Sequence, residues 1–128
     1  MKEELMFWYQ LFTTKTPFYI ACWNEKIEIV KLLLKDERVD INKSNNDDQT
    51  PLFIACFFGN LEIVESILRS GREINFMQKN KYGETALDIV RERKSKIETG
   101  KETIEFQTRK KNYEKIIKLM EPFERRIV

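Results

Sequence analysis

An all-α solenoid of stacked helix-turn-helix units is the fold this sequence predicts, and three observations predict it. One phrase recurs. Thr16-Pro17-Phe18-Tyr19-Ile20-Ala21-Cys22 returns as Thr50-Pro51-Leu52-Phe53-Ile54-Ala55-Cys56, and Thr85-Ala86-Leu87-Asp88-Ile89-Val90-Arg91 is a looser third copy. Each of the first two is followed by a second apolar stretch, Ile27–Leu34 and Leu61–Leu68, with apolar residues three and four apart, the spacing of a helix with one buried face. Between such stretches lie polar, turn-forming runs. A unit of this length cannot bury its apolar face alone, so neighbours must stack into one elongated core.

The elements follow in chain order. Residues 1–15 carry Leu5, Met6, Phe7, Trp8, Tyr9, Leu11 and Phe12, and are expected to lie as a short capping segment over the first repeat. The first repeat spans 16–49. Thr16 and Thr50 can cap backbone donors through their hydroxyls, and Pro17 and Pro51 sit where a missing N–H costs nothing. Ala21 and Ala55 are small where two helices must approach. Gly59 supplies the turn in the second repeat, 50–84; Glu25 stands in its place in the first and makes that turn less favourable.

The third repeat, 85–123, is irregular. Its second helix resembles Tyr113–Met120, which lies 17 residues later than the period would place it. The insert is charged, with ten Lys or Arg against five Glu over residues 91–118. It reads as an extension of both helices into an antiparallel hairpin turning near Gly100 and zipped by Ile97, Ile104 and Phe106, with partial disorder as the competing reading. Val90 and Arg91, replacing the alanine and cysteine, suit a C-terminal cap.

The Thr-Pro-Leu phrase at this period resembles the ankyrin repeat, over about Leu11 to Phe123. The resemblance implies β-turn fingers at Lys43 to Gln49 and Phe76 to Glu84, no enzymatic activity, and a concave protein-binding surface built from finger tips and first helices. Carried over by position, the partner-binding residues would be Trp23, Phe57 and Phe58 on the helices, with Asn24, Glu92 and Arg93 beside them. On the fingers they would be Asn46, Asp47, Gln49, Lys81, Tyr82 and Glu84. The aromatics could instead pack into the groove between repeats, and the finger Asn and Asp could serve their own turns. The family's usual finger-tying histidine is replaced by Tyr19, Phe53 and Asp88, which leaves finger rigidity open.

The bulk composition fits this reading. At 128 residues the chain is expected to form one domain. Histidine is absent, which removes the most versatile general base and the commonest metal ligand. No Gly-rich phosphate loop or GxSxG motif occurs. No catalytic residue, metal site or cofactor is expected. Cys22 and Cys56 read as small buried hydrophobes in a reducing compartment. No membrane span or signal peptide is expected, so an intracellular, cytoplasmic monomer is the expectation, with the nucleus as an alternative location. The partner would be a protein. The competing function is charge-driven binding of nucleic acid or acidic surfaces through the basic insert 91–118. Acidic residues interleaved with the basic ones, and no alternating aromatic platform, make nucleic acid the weaker choice.

Overall fold

The computed structural model describes residues 16–98 and 103–125. These residues form six α-helices in three antiparallel pairs: α1 (Pro17–Trp23) with α2 (Ile27–Leu34), α3 (Pro51–Phe58) with α4 (Leu61–Leu68), and α5 (Ala86–Glu98) with α6 (Ile104–Arg125). The inner helices α1, α3 and α5 contact one another in sequence, and so do the outer helices α2, α4 and α6. Among the described residues there is no strand. The fold is the all-α stack that the repeats predict. The expected cap at 1–15 and the turn near Gly100 lie outside the described residues.

The core runs along the stack. Phe18, Cys22, Val30, Ala55, Cys56, Ile63, Val64, Val90, Tyr113 and Ile116 are fully buried. Ala55 and Cys56 stand where α3 meets its neighbours, and the Cys56 thiol touches the Met120 sulfur at 3.5 Å. Each such aliphatic side chain contributes roughly 1.5–3 kcal/mol by leaving water.

Local devices set the helix ends. Thr50 Oγ1 accepts the Phe53 N–H at 3.1 Å, and Asn60 Oδ1 accepts that of Ile63 at 3.1 Å. Gly59 turns the chain with φ 67°. Glu25 takes the same left-handed turn with φ 58°, a conformation that costs a side-chain-bearing residue about 1–2 kcal/mol. Thr16, by contrast, makes no capping bond, and its Oγ1 is buried without a hydrogen-bond partner.

Both helices of the third pair are extended, as expected from the insert. Thr103 caps α6 through Oγ1 on the Phe106 N–H at 3.2 Å. The expected zipper is corrected. Ile97 is half-buried against the core, but Phe106 is 40% exposed and Ile104 84% exposed. At about 100° per residue, Ile104 lies half a turn away from the face that buries Tyr113, whereas Phe106 is on it. Phe123 closes the other end by stacking on Phe76, ring centroids 4.5 Å apart.

Candidate functional site

The C-terminal turns of the inner helices bring Trp23, Phe57 and Phe58 together. Trp23 meets Phe58 edge-on at 5.3 Å, and Phe58 meets Phe57 edge-on at 5.3 Å. Tyr19 stacks on Trp23 at 6.3 Å, one helical turn back. The Arg93 guanidinium lies 4.3 Å over the Phe57 ring, which carries the ridge from α3 to α5. All three aromatics of the ridge are half-buried. They therefore do both things the sequence left open: they pack on one another and keep part of each ring in solvent. Edge-to-face pairs of this kind are worth about 0.5–1.5 kcal/mol beyond their area.

Tyr113 fixes the ridge from beneath. Its hydroxyl donates to the Phe57 carbonyl at 2.8 Å and accepts from Arg93 Nε at 3.5 Å. A Cβ at Gly59 would stand 2.9 Å from the Tyr113 ring, so the glycine permits this approach as well as the turn.

The fingers are tied by asparagines at matching positions. Asn45 Oδ1 accepts the N–H groups of Asp47 and Gln49, and its amide donates to Gln49 Oε1 and to the Tyr19 hydroxyl at 2.7 Å. Asn80 repeats the arrangement with the N–H groups of Tyr82 and Glu84 and with Glu84 Oε1. These bonds answer the question of rigidity that the missing histidine raised. Tyr19 takes part in them, Phe53 is buried, and Asp88 instead accepts the Thr85 N–H. Successive fingers are joined by the Lys81 N–H on the Asp47 carbonyl and by a Lys81–Asp47 ion pair at 2.8 Å.

Hence Gln49, Asp47, Lys81 and Glu84 serve the fingers' own bonding, while Asn46 and Tyr82 are exposed at the tips, Tyr82 at 66% with Lys81 Nζ 5.2 Å from its ring centroid. Further bonds went unsuspected from sequence. Asn42 bonds the Glu73 carbonyl and the Asn75 N–H, and Arg72 donates to the carbonyls of Leu34, Asp36 and Val39 at the end of α2. The recurrence of Asn42 and Asn45 as Asn75 and Asn80 was the available signal.

Among the described residues the largest pKa shifts fall on the two buried thiols. Burial pushes the Cys22 thiol up to about 12 and raises Cys56 as well, so neither supplies thiolate near neutral pH. Among the described residues no group of carboxylates and thiols could hold a metal ion. The clearest carboxylate shift is structural: a hydrogen-bonded Arg38 holds Asp36 at about 2. In the third pair, Arg91 faces Glu121 and Glu124, Lys94 faces Glu114, Lys96 faces Glu92 and Arg109 faces Glu105. Its basic excess is thus partly answered within the hairpin. No helix of the described residues is long and apolar enough to cross a membrane.

The family model described as "Ankyrin repeats (3 copies)" matches residues 4–80, starting earlier than the resemblance read from sequence and ending before α5. No curated protein matches the chain. Among solved structures, it is similar to a chain in the complex of the Bd0816 predatory endopeptidase from Bdellovibrio bacteriovorus with the immunity protein Bd3460. The identity is 27% and the TM-score 0.56, over 80% of this chain and 45% of that one. The protein described here thus spans less than half the length of that neighbour.

Proposed function

This chain belongs to the ankyrin-repeat family, and from that premise we propose that it is a non-enzymatic module that holds a partner protein against its concave face. Ankyrin repeats generally mediate protein–protein interaction. The observation that carries the reading is the aromatic ridge of Trp23, Phe58 and Phe57. It crosses two inner helices, ends under Arg93, and remains partly in solvent. Aromatic and Arg side chains on a pre-packed base are the residue types that anchor protein interfaces. Their mutual stacking removes much of the ordering cost a partner would otherwise meet.

Specificity would come from the finger tips, with Asn46 and Tyr82 making direct contact and Asp47, Gln49, Lys81 and Glu84 holding the tips in shape. The solved neighbour belongs to a complex of two proteins, which agrees with this class of function. Binding of nucleic acid through residues 91–118 is the weaker alternative, because no aromatic side chains alternate with the basic ones there to stack bases.

The test is capture from lysate of the source cell with wild type and with Trp23→Ala/Phe57→Ala/Phe58→Ala, both checked for helicity by circular dichroism. The proposal expects a protein retained by wild type and lost by the folded variant. A partner held equally by both would sink it.

A further inference from the structure

The hairpin carries a second concavity next to the ridge. Between α5 and α6 lies a cavity of about 240 Å³ lined by Arg93, Lys96, Ile97, Phe106 and Arg109. Its apolar part is Ile97, half-buried, and Phe106, 40% exposed. Its polar part is three cations from two helices. An open apolar side chain ringed by positive charge has a defined complement: a carboxylate next to an apolar side chain.

Arg93 belongs to both surfaces. It stacks on Phe57 and bonds Tyr113, so its guanidinium is held in place before anything binds. A fixed guanidinium favours the planar, bidentate geometry of a carboxylate. Lys96 on α5 and Arg109 on α6 both line the cavity, each with a glutamate four residues away on its own helix: Glu92 at 3.0 Å and Glu105 at 3.4 Å. Such exposed pairs are weak and exchange readily for an incoming anion.

We propose that this notch receives an acidic residue adjoining a bulky apolar one, presented by the same partner that the aromatic ridge holds. The proposal rests on the concave-face reading for its partner, and the shared Arg93 makes ridge and notch one continuous surface. The protruding hairpin is then a wall of the binding site. The charge complementarity selects the chemistry of the partner segment, with the carboxylate between Arg93 and Arg109 and the apolar side chain on Phe106 and Ile97.

The test needs no identified partner. An end-blocked peptide, Asp-Glu-Phe-Leu-Asp-Glu, is titrated into the full chain labelled with nitrogen-15, with Lys-Lys-Phe-Leu-Lys-Lys as the charge-reversed probe. The acidic probe is expected to shift the amides of Arg93, Lys96, Ile97, Phe106 and Arg109, and the basic probe is not. Lys96→Glu/Arg109→Glu should weaken the acidic probe at least tenfold. Lys110→Glu/Lys111→Glu, an equal change of net charge away from the notch, should alter it less than twofold.

Equal response to both probes, shifts confined to residues outside the hairpin, or indifference to Lys96→Glu/Arg109→Glu would each overturn the notch. None of these results touches the ridge, which the capture experiment decides separately.

Discussion

The first and second helix pairs share a sequence phrase and a register, yet they are built to different standards. In the second, Thr50 and Asn60 both cap their helices and Gly59 makes the turn. In the first, Thr16 makes no capping bond, Lys26 offers no side-chain cap to α2, and Glu25 is forced into the left-handed region. Ile63 is fully buried, while Ile29 at the matching position is 47% exposed. The difference teaches where stability resides. Among the described residues the second pair packs against both the first and the third, and of the first two pairs it carries the side-chain caps and the glycine turn.

That contrast can be broken most sharply at the turns. Gly59→Ala adds a methyl group 2.9 Å from the Tyr113 ring at a positive φ, and is expected to cost about 2–3 kcal/mol in urea unfolding. Ala55→Leu, which overpacks the junction of α3 with its neighbours, should cost roughly 1–3 kcal/mol. A neutral result at either site would mean that the middle unit is not the tight joint described. Next in size are the caps: Thr50→Ala should lose about 1 kcal/mol, and Thr16→Ala close to nothing. Equal losses would erase the distinction between the two units.

The reverse substitution sharpens it. Glu25→Gly relieves the left-handed strain and should gain about 0.5 kcal/mol, measured as a higher urea midpoint at unchanged slope. The smallest effect is electrostatic. Asp36 is held at about 2 against an ordinary 3.8, so its bond to Arg38 is complete above the ordinary value and is lost as pH falls through about 2. Arg38→Ala should return the Asp36 midpoint toward 3.8 in an NMR titration. Asp36 and Arg38 being solvent-exposed, little change in stability near neutral pH should accompany it.

Much of this architecture was legible in the chain. The repeated phrase and the spacing of Ile27–Leu34 and Leu61–Leu68 give helices, pairing and stacking, because burial of a periodic apolar face leaves few alternatives. The extension of α5 and α6 followed from where Tyr113 falls. Three features were not legible, each for a physical reason. Asn45 and Asn80 looked like ordinary turn residues, and their role as finger ties depends on side-chain directions that spacing does not carry. Ile104 looked like core, but α6 presents a different stripe to α5. Trp23, Phe57 and Phe58 were placed by register, while their mutual stacking and the Arg93 cover depend on how α1, α3 and α5 meet.

The central claim is that a partner covers the inner-helix face, and oxidative footprinting of the captured complex tests it most directly. Hydroxyl radicals modify Trp23, Phe57, Phe58 and Tyr82 in the free chain in proportion to their exposure, and Ile29 and Leu32 on the outer helix α2 serve as internal controls. The expected result is a several-fold loss of modification at Trp23, Phe58 and Tyr82 on binding, with Ile29 and Leu32 unchanged. Protection of Ile29 and Leu32 with the ridge still fully reactive would place the partner on the opposite face and contradict the account.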